Sequence, residues 1–255
     1  MRASMRVAIN RILSWGARTR KVLYNGPRLR AVMRRTGLRV HLGCGDDHQP
    51  DFVNIDARAT PAADVIMDLN RPTFSPSSVS FAFSNAFFEH LYRDSRLPHL
   101  RTIYESLQDD GVCCYIGLPY FKNVAKYYLE RAPGTAGPIF DLFNVYRYTH
   151  GDPEQAPAWW LGQLHKSLFD DAELTNLLNA AGFGAFVVFC YGYPGDAHEL
   201  PVTMGFYATK LSPPIAQVRK DCRAFLVRFA DSRIRLSTFA WIGELANAVA
   251  APGGP

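Results

Sequence analysis

Residues 38–45 read Leu38-Arg39-Val40-His41-Leu42-Gly43-Cys44-Gly45, and the rest of the chain is organised around them. Leu38, Val40 and Leu42 alternate with polar residues, which predicts a strand, and Gly43-Cys44-Gly45 predicts a turn at its carboxyl end. Glycine there permits positive φ and lets backbone come close to a ligand. Further strands are expected at Phe52–Asp56, Asp64–Leu69 and Val79–Ser84, with a helix over 88–108. Val112–Leu118 is a continuous apolar run of the kind a fully buried parallel strand requires, and Pro119 closes it. Strands alternating with helices imply a parallel α/β sheet whose ligand site lies beyond the carboxyl ends of its strands.

The glycine turn alone would suit many nucleotides; the acids after it narrow the choice. Asp56 ends the second strand, where a carboxylate accepts from both hydroxyls of a ribose. Asp68 ends the third, where it accepts from an exocyclic adenine amine. In a dinucleotide site the ribose acid stands about 20 residues beyond the glycines, after a full helix. Here residues 43–51 alone separate the two strands, too few for a crossover helix. A diphosphate needs the N-terminus of such a helix. The spacing therefore points to a ligand with adenosine and no phosphates, which S-adenosylmethionine (SAM) satisfies.

Outside this unit the chain is uneven. Residues 1–40 carry ten Arg and one Lys without an acid, while the net charge of the whole is only +5. The segment 1–36 reads as a basic helical extension, with helical spacing from Arg2 to Tyr24 and a second start at Pro27. It suits a polyanion, an anionic membrane surface or the chain's own domain. No apolar run approaches the roughly 20 residues of a spanning helix, so a cytoplasmic protein, at most peripherally membrane-associated, is expected. The five cysteines, Cys44, Cys113, Cys114, Cys190 and Cys222, show no metal-ligand pairing and read as buried reduced thiols. Residues 121–164 form a long aromatic insertion containing Tyr127, Tyr128, Tyr146, Tyr148 and Trp159-Trp160, the sort of segment that covers a substrate. After it come an N-cap at Ser167, a helix from Asp170 to Ala181, and strands Ala185–Tyr191 and Val202–Lys210. These two strands are too close for a helical crossover and so are antiparallel. Residues 214–250 read as one or two helices that pack on the domain or make a homodimer contact.

The runs LRVHLGCG, DFVNIDA, DVIMDLN, SFAFSNAFFEHL and LQDDGVCCYIGLP resemble the class I SAM-dependent methyltransferases, above all small bacterial members written LHLGCG…VNID. The match covers 38–120 closely and 165–210 more loosely, through HKSLFDDAELTNLLNAAGF. The resemblance implies a Rossmann-like, seven-stranded, mostly parallel sheet with an antiparallel last strand, plus N- and C-terminal helices. It implies one SAM domain over 37–210, with a lid at 121–164 and helical extensions at 1–36 and 211–255. It also implies that Gly43, Cys44, Gly45, Asp56, Asp68, Leu69, Asn85 and Ala86 surround SAM. Two departures stand out: His41 replaces the acid often found in the first motif, and Asp109-Asp110-Gly111 replaces a proline-glycine-glycine turn.

A methyl group reaches an alkyl hydroxyl only with a general base or a metal ion, because the hydroxyl pKa is far above neutrality. Small-RNA 3′-end and ubiquinone-pathway O-methyltransferases hold a divalent ion through E-x-x-E-H at the place where this sequence has Ala86-Phe87-Phe88-Glu89-His90. That resemblance makes Glu89 and His90 candidate ligands for a divalent ion such as Mg, with His150 or His165 supplying a further one. His150, in RYTHGDPE, and His165 are also the candidate bases, with His150 preferred. His48, His99 and His198 read as surface residues. Aromatic faces with scattered polar groups suit sugar rings, and the subgroup resembles methyltransferases of bacterial polysaccharide pathways, actinobacterial ones included. The expected reaction is methyl transfer to a hydroxyl of a sugar, oligosaccharide or glycoside. Its rivals are an RNA or small phenol or quinone acceptor, and a non-catalytic scaffold of the same fold.

Overall fold

The computed structural model describes residues 31–32, 34–130, 141–151 and 164–246. The N-terminal helix over Arg2–Tyr24 and the Trp159-Trp160 pair lie outside them.

Among the described residues eight strands form one sheet: β1 (Leu38–Leu42), β2 (Val53–Asp56), β3 (Val65–Ile66), β4 (Val79–Asn85), β5 (Leu107–Pro119), β6 (Ala185–Gly192), β7 (Thr203–Thr209) and β8 (Arg235–Ala246). Their order is β3-β2-β1-β4-β5-β7-β6-β8. The pairings among β1 to β5 are parallel; β7 runs antiparallel to both β5 and β6, and β8 antiparallel to β6. Seven strands thus follow the expected plan, with β7 as the reversed one. The eighth corrects the all-helical reading of 214–250: helix α5 (Ile215–Leu226) is followed by a strand, not by more helix.

The other helices are α1 (Arg93–Ser106), α2 (Phe121–Leu129), α3 (Leu142–His150) and α4 (Asp171–Ala181). Asp170 caps α4, its side chain accepting from the Glu173 amide, and Gly182 stops it at φ 102°. The cap is Asp170, not Ser167, whose hydroxyl instead donates to the Leu91 carbonyl. In α1 the inward face is Arg96, His99, Leu100 and Ile103, so His99 is fully buried and not a surface residue. Its Nδ1–H donates to the Leu69 carbonyl at 2.8 Å, and its Nε2 meets the Tyr115 hydroxyl at 2.8 Å.

Two cores sandwich the sheet. On one face Leu100 and Ile103 of α1 and Leu174 and Leu178 of α4 pack on Val40, Leu42, Ala82 and Tyr115. On the other, Val218, Cys222 and Leu226 of α5 pack with Phe229 on Phe52, Phe83, Cys114 and Ile116. Cys44, Cys113, Cys114, Cys190 and Cys222 are all buried and unpaired, as their sequence positions predict. Among the described residues no helix is long and apolar enough to cross a membrane.

Candidate functional site

The carboxyl ends of β1, β2 and β4 meet at the glycine turn. Gly43 (φ 69°) and Gly45 (φ 54°) both occupy the left-handed region. The amides of Gly43 and Cys44 donate to the Ile55 carbonyl at 2.8 and 3.1 Å, tying the turn to β2. A Cβ on Gly43 would lie 2.5 Å from Cβ of Phe87, so this glycine also admits the segment that follows β4. Residues 43–52 contain turns and extended backbone but no helix.

Asp56 closes that turn from the end of β2. Its Oδ2 accepts from the Gly45 amide at 2.9 Å, and its Oδ1 from the Arg58 amide at 2.7 Å and Nε at 3.3 Å. A carboxylate offers about four acceptor positions, so three are taken by the chain itself. The sequence reading has this carboxylate accept from both hydroxyls of a ribose; here it also ties the loop to the end of β2. Asp68 is exposed just beyond β3, its Oδ1 accepting from the amide and side chain of Asn70. Leu69 is buried and presents its carbonyl to His99.

At the end of β4, Ala86 holds a left-handed φ of 52° while its amide donates to the Ile116 carbonyl. Backbone in that region costs a non-glycine residue on the order of 1–3 kcal/mol and collects at functional sites. The carbonyl oxygen of the Asn85 side chain is buried and has no hydrogen-bond partner among the described residues. His41 is likewise buried; its Nδ1 meets Asn54 Oδ1 at 3.1 Å, a bond from β1 to β2.

One turn further on, Phe88–His90 forms a short 3-10 helix. The segment 164–167 is stitched to it: the amides of Lys166 and Ser167 both donate to the Glu89 carbonyl, at 2.8 and 3.1 Å. That stitching brings His165 to His90 and Glu89. The ligand atoms of these three residues all lie within 4.8 Å of one another. His90 Nδ1 lies 3.2 Å from the Leu164 carbonyl and His165 Nδ1 2.9 Å from the Tyr148 carbonyl. A carbonyl oxygen only accepts, so each Nδ1 that meets one carries a proton there. Histidines that ligate metals are oriented in this manner by their second nitrogen. Glu89 is fully buried and its Oε2 has no partner among the described residues. Burial pushes its pKa up to about 8, and burial with the neighbouring His165 pushes His90 down to about 4. A buried acid with one orphaned oxygen, beside two imidazoles whose pKa values burial lowers, is a donor set that fits a divalent cation.

His150 ends α3 on the surface, its ring stacked on Tyr146 and its Nδ1 2.8 Å from the Thr149 hydroxyl. Its carbonyl accepts from the His165 amide at 3.0 Å, so the two candidate histidines are neighbours through the backbone. Sequence reasoning missed the participation of Arg58, Lys166 and Ser167, because each acts through a backbone group or across the fold.

The chain aligns at low identity with several solved SAM-dependent methyltransferases. A SAM-dependent methyltransferase from Mesorhizobium loti aligns at 19% identity over 72% of this chain and 97% of its own, with a TM-score of 0.44. One from Archaeoglobus fulgidus aligns at 13% over 72% and 90%, with a TM-score of 0.47. The Burkholderia thailandensis 1,6-didemethyltoxoflavin-N1-methyltransferase, solved with S-adenosylhomocysteine, aligns at 13% over 79% and 89%, with a TM-score of 0.45. No family model and no curated protein matches the chain. Likeness at this level passes no residue role to this chain.

Proposed function

We propose that the chain is a SAM-dependent methyltransferase acting on a hydroxyl, with a divalent cation held by Glu89, His90 and His165. The observation that carries the donor assignment is the helix-free passage from Gly43 to β2. It presents two left-handed glycines and the acids Asp56 and Asp68 with no helix N-terminus for a diphosphate. Gly43, Cys44, Gly45, Asp68, Leu69, Asn85 and Ala86 line this end of the sheet, and the orphaned oxygen of Asn85 is a free acceptor there. Asp56 holds the loop in shape and keeps one acceptor position for a ribose hydroxyl.

SAM supplies a methyl carbon already activated by its sulfonium. What the chain must add is position and a route for the acceptor's proton. Glu89, His90 and His165 would hold a cation that lowers the pKa of a hydroxyl bound to it. With His165 turned toward Glu89, His150 is the remaining candidate base. Tyr146 stacks on it, and Phe121, Phe143 and Tyr146 are exposed and offer flat apolar faces for a sugar, which supports a carbohydrate acceptor. The decisive experiment is calorimetric titration of SAM into the wild-type chain and Asp68→Ala, followed by transfer from labelled SAM to oligosaccharides, phenols and RNA. Binding that is absent in the wild type, or transfer confined to amines, would remove the reading.

A further inference from the structure

The connection between β1 and β2 is too short for a helix, yet the sheet face it should cover is not bare. Right-handed crossovers place connections that step in opposite directions along a sheet on opposite faces. The step from β4 to β5 carries α1 on the face of Val40, Leu42 and Ala82. A helix joining β1 to β2 would therefore belong on the face of Phe52 and Phe83. That place is taken by α5 and the turn after it: Phe229 stacks on Phe83 at 5.1 Å, and Phe225 meets the same ring edge-on at 5.4 Å.

The replacement reaches the glycine turn itself. Arg233 pairs with Asp47 at 2.9 Å, and Arg228 with Asp51 at 3.5 Å. The Asp47 amide donates to the Cys44 carbonyl at 2.8 Å, and its carboxylate accepts from Gln49, whose amide donates to Asn54. A grip on Asp47 is thus a grip on Cys44 and Gly45. We infer that residues 215–234 stand in for the missing crossover helix and that Arg233 is a positioning residue for the donor loop.

The donor part of this inference rests on the proposed SAM reading; the loop part does not. The test uses the full chain with Arg233→Ala, and with the exchanged pair Asp47→Arg, Arg233→Asp. Amide hydrogen exchange is followed over residues 43–52, with SAM titration and melting temperature measured alongside. Arg233→Ala should speed exchange in that segment and weaken SAM binding about threefold to fivefold, the scale of a half-exposed ion pair. The melting temperature should hold, and the exchanged pair should restore both readouts. Exchange at the wild-type rate in Arg233→Ala would overturn the inference. So would a loss spread over the whole chain that the exchanged pair does not repair. Absence of SAM binding by the wild type would instead remove the donor reading, leaving the exchange rates to decide the loop.

Discussion

His165 stands edge-on to His90, with ring centroids 5.2 Å apart and planes at 63°. Each ring meets a backbone carbonyl through its Nδ1, and both lie beside the same buried carboxylate. Left without a cation, Glu89 is a buried acid whose Oε2 has no hydrogen-bond partner among the described residues, so its ionised form is costly. A cation would turn that cost into affinity.

His165→Ala is therefore expected to weaken manganese binding by more than about tenfold, since even outer groups around a metal contribute that much. Paramagnetic resonance titration of Mn²⁺ into both proteins measures it directly. Equal affinity in the two proteins would take His165 out of the cluster.

Gly43→Ala places a methyl group 2.5 Å from Phe87 Cβ at a φ of 69°. Backbone strain alone should cost about 1–3 kcal/mol, and the clash should displace the segment after β4. Chemical denaturation should show the lost stability and calorimetry the lost SAM binding. Wild-type values in both would mean that the turn tolerates a side chain.

His99 gives the pH dependence a definite sign. Burial lowers its pKa from the ordinary 6.5 to about 4, so the folded chain resists protonation while the unfolded chain accepts it. Stability from this group is complete above pH 6.5 and is lost as pH falls toward 4. His99→Gln should flatten the stability curve across that window by about 3 kcal/mol, from 1.36 kcal/mol per unit. Urea melts at pH 7, 5.5 and 4.5 would reveal an unchanged slope if the assignment were wrong.

The β6–β7 connection carries three successive left-handed residues, Ala197, His198 and Glu199, at φ 44°, 53° and 58°. Arg235 grips Glu199 from β8, its Nε donating to Oε2 at 2.6 Å, while Arg147 and Tyr148 of α3 hold Asp196. Arg235→Ala should release the turn, seen as faster amide exchange over residues 193–202 with β6 itself still protected. Unaltered exchange there would show that the Asp196 contacts suffice.

How far the sequence was legible depends on the range of the interaction. Leu38–Leu42, Val112–Leu118 and Ala185–Tyr191 announce their strands because each is a largely buried apolar run. β8 does not, since Leu236, Phe239, Ile242 and Leu245 recur every third residue, a helical spacing. Register shifts opposite Val188/Phe189 and Cys190/Gly192 explain why its alternation is broken. His99 was concealed by residue type: a helix face of Arg, His, Leu and Ile reads as half polar, yet all four are buried. Glu89 and His90 were legible as a pair, but the choice of His165 over His150 was not. It depends on backbone bonds from Lys166 and Ser167 to Glu89 across more than seventy residues, which no local period records.

The pairing of Asp47 with Arg233 also sets a schedule for synthesis. The ribosome delivers the glycine turn early and its support 186 residues later, a lag of about 10–40 seconds at about 5–20 residues per second. During that interval the aromatic face of Phe52 and Phe83 has no cover of its own. A nascent chain interrupted before Ile215, where that cover begins, would keep its sheet exposed there, and chaperones would meet it at that surface.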